Sequence, residues 1–147
     1  MTNPMSPEET AYYQRLLSDF DFVLDQRWED RGLDRVAPLG RVERDIANFG
    51  ENGPEQRQIL AYRGVGKTHL ITAALTCYRL LQNPNHKVLI VSKSEEFAKN
   101  AVKLIRDWID AVWFLEHLSP DGGRDNVLQF DVAGADEAIQ PSVRAIG

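Results

Sequence analysis

Cysteine is nearly absent: Cys77 is the only one in 147 residues. A lone cysteine excludes an intrachain disulfide framework, and such usage fits a reducing cytoplasm. Cys77 falls on an apolar face at helical spacing and reads as a small core side chain. Histidine is scarce as well. His69, His86 and His117 are scattered without metal-ligand spacing, which argues against a structural zinc site. No apolar run approaches the roughly 18 residues of a membrane span, and no signal-peptide pattern opens the chain. Positive charge is in deficit. With 17 Lys and Arg against 22 Asp and Glu, the formal charge of −5 gives no sign of a basic nucleic-acid surface, although a binding groove can be local. What remains is ordinary: 43% hydrophobic and 27% charged residues, enough chain for one domain with a proper core.

The stretch Gln58 to Thr68, QILAYRGVGKT, stands out against this background. It is a short apolar run, a glycine-bearing bend, and then Lys-Thr opening a long helical pattern. A phosphate chain needs that order. Backbone N–H groups without side chains in the way can wrap anionic oxygens, and the positive end of the following helix points at them. Lys67 would carry a mobile charge to the β- and γ-phosphates of ATP, and the Thr68 hydroxyl would hold Mg²⁺. The usual loop is Gly, four residues, then Gly-Lys-Ser/Thr. Here Ala61 occupies the first glycine position, and Gly64, Gly66, Lys67 and Thr68 are the intact part. The tripeptide is weak by itself, and an ordinary strand-to-helix turn is the alternative, so the flanks must carry the case.

From the start of the chain, Ser6-Pro7-Glu8-Glu9 predicts a helix start with a capping box. Tyr12, Tyr13, Leu16, Leu17, Phe20, Val23 and Leu24 extend one amphipathic helix to about Gln26. Its aromatic stripe reads as an internal packing face, with partner docking as the alternative. Trp28 to Leu39 reads as an irregular connection. Leu39, Val42, Ile46 and Phe49 give a short second helix, closed by Gly50-Glu51-Asn52-Gly53-Pro54. After the loop, Lys67 to about Leu81 reads as a helix broken at Asn83-Pro84-Asn85. Val88 to Val91, apolar on both faces, predicts a central parallel strand. Ser92 and Glu95 offer a capping box for a helix of about 20 residues marked by Phe97 through Val112. Asn126 to Val132 reads as a third strand. Ala133 to Gly147 reads as loop with a small β-rich patch at Val143 to Ile146.

Strand, loop, helix, strand, helix, strand predicts an α/β fold: a P-loop NTPase-type parallel sheet with flanking helices, an incomplete βαβαβ core with the ligand at the carboxyl ends of the strands. Residues 1–56 would be an N-terminal helical segment and residues 57–147 a partial P-loop ATPase core. Hydrolysis also requires a carboxylate for Mg²⁺ and a group to orient water, usually on an apolar strand ending in two acids. The only such stretch is Val127-Leu128-Gln129-Phe130-Asp131, where Gln129 interrupts the run and Val132 stands in place of the second acid. Asp131 therefore reads as an acid at a strand end rather than as the metal-positioning group. Asp136 and Glu137 are weaker candidates still.

AYRGVGKTHLITAALTCYRL, then KVLIVSKSEEFAKN, then RDNVLQFDVAGADEAIQPSVRAIG resemble the large terminase subunit of short-tailed bacteriophages, also called DNA maturase B. The resemblance runs from about Leu39 to the last residue. It implies a two-part machine in which an N-terminal ATPase domain drives double-stranded viral DNA into the procapsid through the portal, and a nuclease domain cuts the concatemer. The implied partners are that DNA, the portal and procapsid, and the small terminase subunit. The implied setting is the host cell cytoplasm and, transiently, the portal vertex, with a ring oligomer for the full-length form and no membrane. On this resemblance, Ala61, Tyr62, Arg63, Gly64, Val65, Gly66, Lys67 and Thr68 form the nucleotide loop (Walker A). Lys67 would bind phosphate, Thr68 would hold magnesium, and Arg63 would be the loop arginine that couples phosphate state to motion. Near Glu43 the family tends to carry a glutamine suited to adenine; a glutamate there can accept but not donate.

The sequence departs from the family in length. The acidic (Walker B) strand, which should follow the segment matching Pro141 to Gly147, and the nuclease domain are absent from these residues, so the chain reads as an N-terminal ATPase portion with little or no turnover of its own. Two other readings stay open: a helicase-type, nucleic-acid-dependent ATPase fragment, and a stand-alone nucleotide-binding module without turnover.

Overall fold

In the computed structural model, which describes residues 4–24, 40–56, 58–60, 68–136 and 140–147, the first helix begins as its sequence requires. In α1 (Pro7–Ser18) the Ser6 hydroxyl accepts from the Glu9 N–H at 3.2 Å, and the Glu9 carboxylate accepts from the Ser6 N–H at 2.9 Å. The helix does not run on to Gln26 as one piece. Asp19 is extended, and its carboxylate accepts from the Phe22 N–H at 3.1 Å, so it caps a second helical stretch over residues 20–24. A single amphipathic stripe is thereby split by one capping residue.

Helix α2 (Arg41–Asn52) continues through Gly50 and ends at Gly53, whose N–H reaches the Phe49 carbonyl at 2.9 Å. The chain after the loop is helical throughout, but in two forms: π-type over Thr68–Leu75, then α3 over Thr76–Gln82. Asn83 and the turn behind it stop α3. Strand β1 (Val88–Val91) leads into α4 (Glu95–Ala111). The cap of α4 is Ser94, accepting from the Phe97 N–H at 3.4 Å, rather than Ser92. A 3₁₀ segment (Trp113–Leu118) follows, then β2 (Asp125–Asn126), β3 (Gln129–Phe130) and β4 (Val143–Ile146).

The fold is α/β, but its sheet is mixed rather than parallel. The order is β1-β4-β3-β2. β1 and β4 run parallel with Val88 opposite Val143, while β3 is antiparallel to both β4 and β2. The expected third strand, Asn126 to Val132, is instead a tight hairpin. Asn126 explains it: its side-chain oxygen accepts from the Leu128 and Gln129 N–H groups, both at 3.1 Å, and folds the backbone back after two residues. The β-rich patch at Val143–Ile146, expected within a loop-like stretch, becomes the parallel partner of β1. Gln58–Leu60, read as the strand entering the loop, lie outside the sheet, with Leu60 86% exposed.

The core gathers on one side of the sheet. Trp108 and Ile105 of α4, Tyr78 and Leu80 of α3, Phe114 and Leu118, Leu16 of α1 and Phe130 are all fully buried. Cys77 is buried among them, as its spacing predicts.

Candidate nucleotide site

The residues the sequence assigns to the loop, Ala61, Tyr62, Arg63, Gly64, Val65, Gly66 and Lys67, lie outside the described residues. The frame on either side of them is described. Ile59 packs against the core before the loop, and the backbone enters a helix at Thr68 after it. Leu70, Ala73, Ala74 and Cys77 turn inward from that helix, so its first turn is anchored in the core rather than free on the surface. Eight consecutive residues of π-type bonding are unusual, because the wider ring normally appears as a single turn and often at functional positions.

Four contacts fasten this helix to the N-terminal helices. Gly50 of α2 sits so close that a Cβ there would lie 2.5 Å from the Ile71 Cδ1. The Tyr78 hydroxyl (3.4 Å) and the Gln82 amide (2.8 Å) both donate to the carbonyl of Leu17 at the end of α1. The Arg79 guanidinium donates to the Glu51 carbonyl at 2.9 Å. Burial, and then the nearby Glu51 charge, push the Tyr78 hydroxyl above its ordinary pKa, so it remains a donor across the neutral range. Phe20 packs on the Tyr78 ring at 5.0 Å. Leu17, Phe20 and α2 thus contribute to the seating of the post-loop helix.

The acidic candidates have other work. Glu43, in the first turn of α2, turns its carboxylate back over Gly40, where a Cβ would come 2.5 Å from Oε2. Asp131 is a clamp. Its carboxylate accepts from the Arg124 N–H at 3.0 Å, the Arg124 Nε at 2.9 Å and the Ser142 N–H at 3.1 Å, tying the end of the hairpin to the approach of β4. Partial burial pushes its pKa up, but these hydrogen bonds and the Arg124 charge outweigh burial and hold it below the usual carboxylate range. Gly123 lets the turn approach, since a Cβ there would meet the Asp131 Cβ at 2.8 Å. Asp136 exchanges hydrogen bonds with Asn85, at 2.8 and 3.1 Å. Glu137 lies outside the described residues, and the side chain of Thr68 is not described. Among the described residues, no group of three His, Cys, Asp or Glu could hold a metal ion.

Sequence reasoning missed the hairpin staples. Arg106 of α4 pairs with Asp125, donates to the Asn126 carbonyl at 2.5 Å and lies 4.8 Å over the Phe130 ring. The signal was available in Arg124-Asp125-Asn126, a turn-forming cluster that an apolar-run reading passes over.

No protein-family model matches the chain. Among curated proteins, the terminase large subunit of Enterobacteria phage T3 is 37% identical to it over 135 residues. Over nine-tenths of its length this chain is similar to that terminase large subunit. The match takes in 90% of this chain and 22% of the T3 protein, so the chain spans about a fifth of the length of the protein it matches. No described helix of it is long and apolar enough to cross a membrane.

Proposed function

We propose that this chain is the ATP-binding segment of a viral DNA-packaging motor, with residues 57–147 a partial P-loop ATPase core and residues 1–56 the helical segment that braces it. One coincidence carries the reading. Gly64-Val65-Gly66-Lys67 runs directly into a core-anchored helix at Thr68, in a chain related to a terminase large subunit. In this reading Ala61 to Gly66 supply backbone donors for the phosphates of ATP. Lys67 neutralises the β- and γ-phosphates, Thr68 holds Mg²⁺, and Arg63 answers the change in charge when the terminal phosphate leaves. The complete protein would couple ATP hydrolysis to movement of double-stranded DNA through the portal into the procapsid, alongside a small terminase subunit and as a ring. It would act in the host cytoplasm and at the portal vertex, and cut concatemeric DNA.

Hydrolysis also needs a carboxylate to position the metal, and Asp131 and Asp136 are engaged elsewhere. The chain by itself should therefore bind ATP and turn it over weakly or not at all. Titration with a fluorescent ATP analogue in the presence of Mg²⁺ tests this. Lys67→Ala should weaken binding at least tenfold, because a charge-assisted contact to phosphate is removed. Equal affinity for both proteins would sink the nucleotide reading, and robust turnover abolished by Lys67→Ala would overturn the claim of an inactive segment.

A further inference from the structure

The aromatic and apolar stripe at the start of the chain divides in the structure. Leu16, Phe20, Val23 and Leu24 go into the core, while Tyr13 (38% exposed) and Leu17 (43%) stay in solvent. Beside them stands Trp113, which opens the 3₁₀ segment and is 46% exposed, although Trp108 of α4 is fully buried. The rings interlock. Trp113 stacks on Tyr12 at 5.7 Å, and Tyr13 meets Trp113 edge to face at 6.1 Å. Phe22 completes the group, 5.3 Å from Tyr12. Tyrosine and tryptophan held rigidly at a surface are the residues that binding interfaces concentrate.

The cluster already holds one cation. The Arg15 guanidinium lies 4.2 Å from the centroid of the Phe22 ring and pairs with Asp19 at 3.5 Å. Around Tyr13 and Trp113 the charge has the opposite sign. A 3₁₀ helix aligns side chains three positions apart, which puts the exposed Glu116 in line with Trp113. Glu9, also exposed, stands one helical turn before Tyr13.

We propose that Tyr13, Trp113, Glu9 and Glu116 form a docking point for an arginine-bearing segment of a second protein. Its guanidinium stacks on the exposed rings, and the flanking carboxylates meet its charge. Charge selects this occupant. A nucleic-acid strand could stack on the rings, but its phosphates would face Glu8, Glu9 and Glu116. A second copy of the same surface would set these carboxylates against themselves. A guanidinium answers both halves of the surface, since it stacks on aromatic faces and offers planar donors to a carboxylate. Leu17, one turn beyond Tyr13, gives the segment an apolar neighbour on the same side of α1. No residue of the nucleotide loop enters the argument, so either reading can fail without the other.

The probe is the end-capped tripeptide Arg-Leu-Arg, titrated into the 147-residue chain while the indole N–H signals are followed by NMR. The Trp113 signal should move and the Trp108 signal should stay in place. The same peptide with citrulline for arginine keeps the shape and loses the charge, and it should bind at least tenfold more weakly. Glu116→Lys, an exposed change that leaves thermal melting unaltered, should also weaken binding at least tenfold, as should Trp113→Ala. A titration that leaves Trp113 unmoved, equal binding of the citrulline peptide, or binding indifferent to Glu116→Lys overturns the proposal. So does a larger Trp113 shift with a single-stranded oligonucleotide, which assigns the rings to nucleic acid. A Trp113 shift that grows with the concentration of the chain alone overturns it too, and assigns the surface to a second copy.

Discussion

Asp131 shows how one carboxylate can look like a metal ligand in sequence and act as a clamp in structure. It follows an apolar run, as a magnesium-positioning acid would, yet its oxygens meet two backbone N–H groups and a guanidinium. Asp131→Asn should lower stability by about 1–3 kcal/mol, since charge-assisted hydrogen bonds are lost in a half-buried place. Urea denaturation reads that change. The pH dependence follows in sign. With its pKa lower in the folded than in the unfolded chain, Asp131 stabilises fully above the ordinary carboxylate pKa near 4, and that contribution fades as pH falls through the folded value. The Asn variant should therefore lose less stability than the parent between about pH 4 and pH 2.

Among the elements, the hairpin and the post-loop helix are the most exposed to single changes. Arg106→Ala removes the ion pair to Asp125, the bonds to the hairpin carbonyls and the cover over Phe130. Amide exchange at Asp131, whose N–H reaches the Arg124 carbonyl at 2.8 Å, should quicken at least tenfold while exchange in α3 stays unchanged. Gly50→Val should cost about 1–3 kcal/mol by overpacking, because the branched side chain enters space held by Ile71 and Leu75. The helices themselves were legible because their signals are periodic: Ser6 with Glu9, the inward rows of α4, the buried Cys77. Two breaks were not. Asp19 interrupts a stripe whose spacing continues across it, and Asn126 turns a run that reads as extended; in both, a side-chain oxygen accepting from backbone N–H overrides periodicity.

For the molecule as a whole, the helices and β1 were readable, and the rest of the sheet and its pairing were not. Val143 to Ile146 is a short patch whose partner lies more than fifty residues away in β1, and nothing local to it names that partner. The helix over residues 68–82 was readable from its spacing, while its support was not. That support, Leu17 held by Tyr78 and Gln82 and Glu51 held by Arg79, joins parts of the chain that periodicity treats separately. A chain beginning at residue 57 would uncover Ile71, Leu75 and Tyr78 together. It should be recovered as aggregate, or melt at least 10 °C below the parent in a thermal scan, since several kcal/mol of apolar burial would be lost.

The contact between Gly50 and Ile71 has a consequence for how these proteins diverge. Where a Cβ has no room, the two positions share one fixed volume. Relatives that gain a side chain at position 50 should therefore carry a smaller residue at position 71, and the two columns of an alignment should drift in opposition. The helix over residues 41–52 and the one that begins at Thr68 would then evolve as a pair, each keeping a record of the other's size.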